Sequence, residues 1–205
     1  MPRPDPGAGP PASLEAMLPA VLAVGEKYHY DDAHGRQVAA LAEQLFAALQ
    51  PFHGLAPSWR VPLIHAALVH DIGYFVAARR HHRHSRYLIG SDALLDDYPQ
   101  PWRELVGLVA CNHRRRARRG PKDWGRERRR AALALSAMLR LADGLDYGHD
   151  AAARIDGARV RRGVLQVRVA GVRLHDLQAV LRKKAALFTH TFVVPVVFVP
   201  ATASD

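Results

Sequence analysis

The stretch Ala66 to Tyr74 (AALVHDIGY) sets an imidazole beside a carboxylate, His70 and Asp71, in otherwise apolar surroundings. Both side chains donate lone pairs and suit a divalent transition metal. In a helix, adjacent side chains diverge by about 100°, so the pair cannot neutralise itself by facing contact, whereas a metal between the two directions can bind both. For the dipeptide alone, a hydrogen-bonded core histidine beside a helix-end carboxylate is the simpler explanation, and the neighbouring sequence decides against it. His34 lies on the stripe of Val38, Leu41 and Leu45, His113 follows Val106, Val109 and Ala110, and Asp143 follows Leu135 and Leu139. Each sits at helical spacing on the face that should be buried. Buried unpaired imidazoles and carboxylates are costly, so several on inward faces of different helices must satisfy one another or share cations. His84, in HHRHS, is expected to complete the set, with His81 and His82 facing solvent or substrate. His29, His53, His65, His149, His175 and His190 read as structural or surface residues, His149 being the least clear of them.

One residue beyond His113 begins a basic run, Arg114 to Arg130, with nine arginines and Lys122 against Asp123 and Glu127. It carries eight of the ten net positive charges. Guanidinium groups match phosphate oxygens in a fork geometry, so Arg114 and Arg115, with Arg80 and Arg83, are candidate phosphate-binding residues. Trp124 could stack a base or anchor the loop by packing.

Turn signals divide the region that must position these residues. Apolar periodicity predicts helices over 14 to 27, 32 to 50, 58 to 76, 84 to 96, 101 to 114 and 126 to 146. Alternation over Ala158 to Val169 about Arg162-Gly163 predicts a β-hairpin, followed by a helix from His175 to Phe188 and a strand from Thr191 to Val199. The expected fold is therefore mainly α: a helical bundle over 13 to 152 with a small α+β appendage over 153 to 200. Flexible tails are expected at 1 to 12 and 201 to 205.

At 205 residues with 49% hydrophobic content, the chain is long enough for one domain with a real core. A net charge of +10 predicts polyanionic partners. The single cysteine, Cys111, excludes an internal disulfide and a cysteine-based zinc finger. No apolar run reaches membrane-spanning length, and the stretch Ala16 to Val24 reads as an amphipathic helix and not as a signal peptide. The expected location is cytoplasmic.

In order and number, these residues resemble the HD superfamily of metal-dependent phosphohydrolases, whose pattern of His, His-Asp and Asp corresponds to His34, His70, Asp71 and Asp143. More closely, YHYDDAHGRQVAAL, AALVHDIGYF, HHRHSRYLI, VACNHRRR, LRLADGLDYGH and KKAALF are similar to the carboxy-terminal HD-like region of the exopolyphosphatase and guanosine pentaphosphatase family. Members of that family carry amino-terminal actin-like lobes with no counterpart in these 205 residues, so the HD site itself is expected to perform the chemistry. The resemblance implies that His34, His70, Asp71 and Asp143 hold one ion and that Asp71 bridges to a second held by His84 and His113. One or two divalent ions are expected, Mn, Fe, Co, Ni or Zn in preference to Mg. Asp71 and His70 would be the catalytic pair, with hydroxide generated on the metals attacking phosphorus. The substrate would be a nucleotide, an alarmone or a polyphosphate. The alternative is a non-catalytic module that binds polyphosphate, or binds nucleic acid through Arg114 to Arg130. The apolar strand near Val193 to Val199 raises the expectation of a homodimer.

Overall fold

The computed structural model describes residues 9–201, so most of both expected tails lies outside the described residues. A 3-10 turn, Ala12–Met17, leads into α1 (Leu18–Lys27). It is followed by α2 (Asp32–Ala48), the single turn α3 (Gln50–His53), α4 (Arg60–Leu68), α5 (His81–Ser91), α6 (Trp102–Cys111) and α7 (Arg126–Leu145). The chain ends in β1 (Arg154–Arg161), β2 (Val164–Ala170), α8 (Leu174–Phe192) and β3 (Val196–Pro200). This is the mainly helical architecture with a small appended sheet that the periodicity predicts.

The core is organised around α7, whose residues Ala134 to Leu145 are all buried. Leu135, Met138, Leu139 and Leu141 are fully enclosed, and the helix packs against α2, α4, α6 and α8. A helix enclosed on every side lies at the centre of a bundle, so its polar residues Ser136, Arg140 and Asp143 are buried as well.

The hairpin turns at Arg162-Gly163, where both residues have positive φ, 51° and 75°; this matches the twist a two-residue turn needs. In β2, Leu165, Val167 and Val169 alternate inward. β3 pairs parallel to β2, which requires a crossover element, and α8 supplies it.

Several expected boundaries differ, and three of them have a structural reason. The helix expected over 58 to 76 begins as a 3-10 turn, is α-helical only to Leu68, and gives way to a turn through Val69, His70 and Asp71 before a second 3-10 segment, Ile72–Phe75. The cause is tertiary: a Cβ on Gly73 would lie 2.1 Å from the His81 carbonyl oxygen, so only glycine permits α5 to dock there. Gly73 N donates to Ser85 Oγ at 2.9 Å, and Ser85 Oγ donates to the His81 carbonyl. The same docking starts α5 at His81, three residues before the expected helix. Finally, Thr191 and Phe192 extend α8; Thr191 Oγ1 donates to the Leu187 carbonyl, and β3 starts only after Val193, with φ 57°, and Pro195.

Candidate metal centre

Asp31 caps α2, its side chain accepting from His34 N at 3.0 Å, and this sets His34 in the first helical turn facing α7. His70 hangs from the turn after α4, His81 opens α5, and His113 lies in the turn after α6. All four imidazoles are oriented by the same device. His70 Nδ1 lies 2.7 Å from the Ala67 carbonyl, His81 Nδ1 3.1 Å from that of Ala78, and His113 Nδ1 2.6 Å from that of Ala110. His34 Nδ1 lies 2.8 Å from Asp146 Oδ2. Since a carbonyl or carboxylate only accepts, each Nδ1 is placed to carry the proton of a neutral ring, a tautomer that leaves each Nε2 with an inward lone pair, those of His81 and His113 lying 3.1 Å apart.

Those lone pairs converge in two groups. His34, His70 and Asp143 form one, with Asp143 Oδ1 4.0 Å from His34 Nε2 and 3.9 Å from His70 Nε2. Asp71, His81 and His113 form the other, with Asp71 Oδ1 3.2 Å from His81 Nε2 and 3.3 Å from His113 Nε2. The second Asp71 oxygen, Oδ2, lies 3.5 Å from His70 Nε2, so this one carboxylate spans both groups. Breaking the helix at Val69 lets His70 and Asp71 approach each other, contrary to the divergence expected of adjacent helical residues. His34 Nε2, His70 Nε2 and Asp71 Oδ1 are buried without a hydrogen-bond partner. Buried polar atoms are rarely left so, and an imidazole-carboxylate set with orphaned inward lone pairs fits a divalent transition metal.

Burial lowers the proton affinity of His113, to about 3, and of His34, keeping both neutral as ligation requires. Burial by itself would raise the Asp71 carboxyl, and it falls well below the carboxylate range only to the extent that His70, His81 and His113 around it carry positive charge. Asp143 is likewise lowered against its burial, chiefly by the ammonium of Lys184, which pairs with Asp143 Oδ2 from α8.

His84 joins neither group; His81 occupies the place expected for it. The two are three residues apart on one helical face, and the earlier start of α5 brings the first of them to Asp71. His81 and His82, expected to face solvent or substrate, are both buried from solvent, His81 lining the small cavity over the ligands and His82 the arginine-lined one. His149, read as structural or surface, stacks on His34 with ring centroids 3.8 Å apart and lies 2.9 Å from Asp31. Asp146 and Lys184 carried no signal beyond their places in DGLDYGH and KKAALF.

Two cavities open at this centre, and a larger one adjoins one of them through Arg114. A small one of about 170 Å³ lies over the ligand groups and is lined by Tyr74, Arg114, Tyr147, His149 and Lys184 among others. Arg114 also lines a larger cavity of about 650 Å³ with Arg80, Arg83 and Arg115, the other expected phosphate-binding residues, and with Arg79, Arg116 and Arg118. A third, of about 300 Å³, is lined by His34, His70 and Asp71 and adjoins the small one through Asp71, Tyr74 and His149. Further along the basic run, Trp124 is buried against Gly120, and Arg128 lies over the Trp102 ring at 5.1 Å, so this tryptophan is a packing anchor and not a stacking platform. No helix among the described residues is long and apolar enough to cross a membrane.

The profile of the Ppx/GppA phosphatase family, domain III, matches residues 19–164. The chain belongs to that phosphatase family, over a span that takes in both ligand groups and the arginine-lined cavity. No curated protein matches the sequence.

Proposed function

We propose that the chain is an HD-type, metal-dependent phosphohydrolase. One observation supports this above the others: four imidazoles on four separate segments have their Nδ1 protons tied off, leaving every Nε2 lone pair directed at Asp71 or Asp143. His34, His70 and Asp143 would hold one ion, His81 and His113 a second, with Asp71 spanning the two. The donor set favours Mn, Fe, Co, Ni or Zn over Mg. The chemistry such ions supply when bound is Lewis acidity: activation of water and relief of charge on the phosphoryl oxygens.

The remaining roles belong to the chain's own side chains. Arg114 and Lys184 face the small cavity over the ligands and would orient the phosphoryl oxygens by charge-assisted hydrogen bonds. Arg80, Arg83 and Arg115 would hold further phosphate groups in the adjoining cavity. Asp146 and the Ala67, Ala78 and Ala110 carbonyls keep the imidazoles in the ligating tautomer. The substrate is then a phosphoester or phosphoanhydride of nucleotide or polyphosphate type. Elemental analysis of protein loaded with Mn, together with phosphate release from a phosphoester and polyphosphate panel, tests this. About two ions per chain, and loss of both ions and turnover in Asp71→Ala, is the expected result; an Asp71→Ala protein with full activity sinks it.

The arginine-lined cavity favours one second reading, a module that holds polyphosphate or nucleic acid without cleaving it. Binding that falls steeply with salt and ignores chelators would mark that module.

A further inference from the structure

The cavity of about 300 Å³ lined by His34, His70 and Asp71 differs in kind from the other two near this centre. Its volume is at the small end for organic-ligand pockets, and its walls include Tyr28, Tyr30, Tyr74 and Leu68. Tyr28 donates its hydroxyl to Asp92 at 2.5 Å, and Tyr30 donates to Asp32. With both hydroxyls engaged by carboxylates, these residues offer ring carbon to the cavity. The Tyr30 ring is wedged between Gly25 and Gly35, where an added Cβ would meet it at 2.9 and 3.1 Å, so the wall is fixed in place. Exposed aromatic side chains continue around the centre: Tyr74, Phe75 and Tyr147 are each at least half exposed, and Phe75 packs edge-on against Tyr28 at 5.2 Å. Exposed apolar surface gathered at one place marks a contact site.

This aromatic cavity and the small basic one share Asp71, Tyr74 and His149. A ligand spanning the two adjoining cavities therefore meets aromatic carbon in one and Arg114 and Lys184 in the other. An inorganic phosphate chain has no apolar part to place against the tyrosines. We propose that the aromatic cavity is the subsite for the organic half of a phosphoester, seating a planar aromatic group such as a nucleobase, while the phosphate faces Arg114 and Lys184. In the reaction, water oxygen bonds to phosphorus, the ester P–O bond breaks, and the leaving oxygen takes up a proton, giving an alcohol and orthophosphate. The proposal rests on the hydrolase reading for turnover, but not for binding.

AMP and ribose 5-phosphate share the phosphoester and differ at C1′, adenine against hydroxyl, and make the test. With Mn-loaded full chain, KM from phosphate release and Kd from calorimetry are measured for both, in wild type, Tyr28→Leu and Tyr28→Phe, after circular dichroism and melting have checked folding. AMP is expected to bind about five- to a hundredfold more tightly than ribose 5-phosphate, the range that stacking on an aromatic side chain supplies. Tyr28→Leu should shrink that preference at least about fivefold, and Tyr28→Phe, which keeps the ring and loses only the Asp92 bond, should retain it. Equal affinity for the two compounds in wild type overturns the proposal, even if the variants fail to fold. So does a preference that survives Tyr28→Leu, or one that both variants lose alike. Preferential AMP binding without turnover, lost in Tyr28→Leu and kept in Tyr28→Phe, supports the subsite and refutes the hydrolase reading. Turnover of both esters with equal constants does the reverse.

Discussion

Asp146 belongs to neither ligand group, yet its replacement by Asn should disable one of them. The carboxylate is fully buried, takes the His34 Nδ1 proton at 2.8 Å through Oδ2, and accepts from Ala151 N at 2.9 Å through Oδ1. An amide in the same place can satisfy only one of those donors with its oxygen. If the oxygen stays on Ala151 N, the NH2 faces His34 Nδ1–H, and the conflict is relieved when the imidazole moves its proton to Nε2. That nitrogen is the one aimed at Asp143, and once protonated it cannot ligate. If the amide flips instead, a buried backbone N–H loses its acceptor, at about 1–3 kcal/mol of stability. Outer-shell changes of this kind typically weaken metal binding about ten- to a hundredfold, equivalent to about 1.4–2.7 kcal/mol. Equilibrium dialysis against buffered Mn or Co, read by elemental analysis, should show one ion weakened by that factor and the other, held by His81 and His113, nearly unchanged. Two ions bound by Asp146→Asn with wild-type affinity, within about twofold, would refute the tautomer argument.

Other substitutions probe separate links. His81→Ala should lose one bound ion and most phosphate release, whereas His84→Ala should keep both ions; the opposite pattern by elemental analysis and assay would return His84 to the centre. His65, buried against Tyr98 at 2.8 Å, has its proton affinity lowered by burial to about 4. Above pH 6.5 it is neutral folded and unfolded; as pH falls towards 4 the unfolded chain takes up a proton that the folded chain refuses, so stability falls by about 3 kcal/mol. Urea unfolding between pH 7 and 4 should show this loss, and a shallower one in His65→Gln. Arg140, also buried, donates to the carbonyls of Asn112 at 2.6 Å and of Arg115, fixing the turn that carries His113. Arg140→Met should cost about 2 kcal/mol and lower Tm by about 4–8 °C, measured calorimetrically; an unchanged Tm would show that the turn holds itself.

Local information was enough for the architecture. The stripes of α2 and α7, the turn at Arg162-Gly163 and the alternation in β2 each follow from residues within a few positions of one another, and a period of 3.6 or 2 suffices to read them. The inward placement of His34, His113 and Asp143 was legible for the same reason: they share a face with residues that must be buried. Periodicity reports a face, however, and not a partner. His81 and His84 lie on one face, and the choice between them depends on where α5 begins, which the fit of Gly73 against the His81 carbonyl decides. The meeting of His70 with Asp71 required the helix to stop at Leu68, imposed by that same docking. Lys184 reaches Asp143 from 41 residues away and Asp146 reaches His34 from 112, separations across which no local pattern carries information. The sequence by itself thus determined which helix faces turn inward and what chemistry their side chains could do; the packing of α5 and α8 onto the bundle decided which side chains meet, His81 with Asp71 and Lys184 with Asp143, because that depends on distances that only the folded chain possesses.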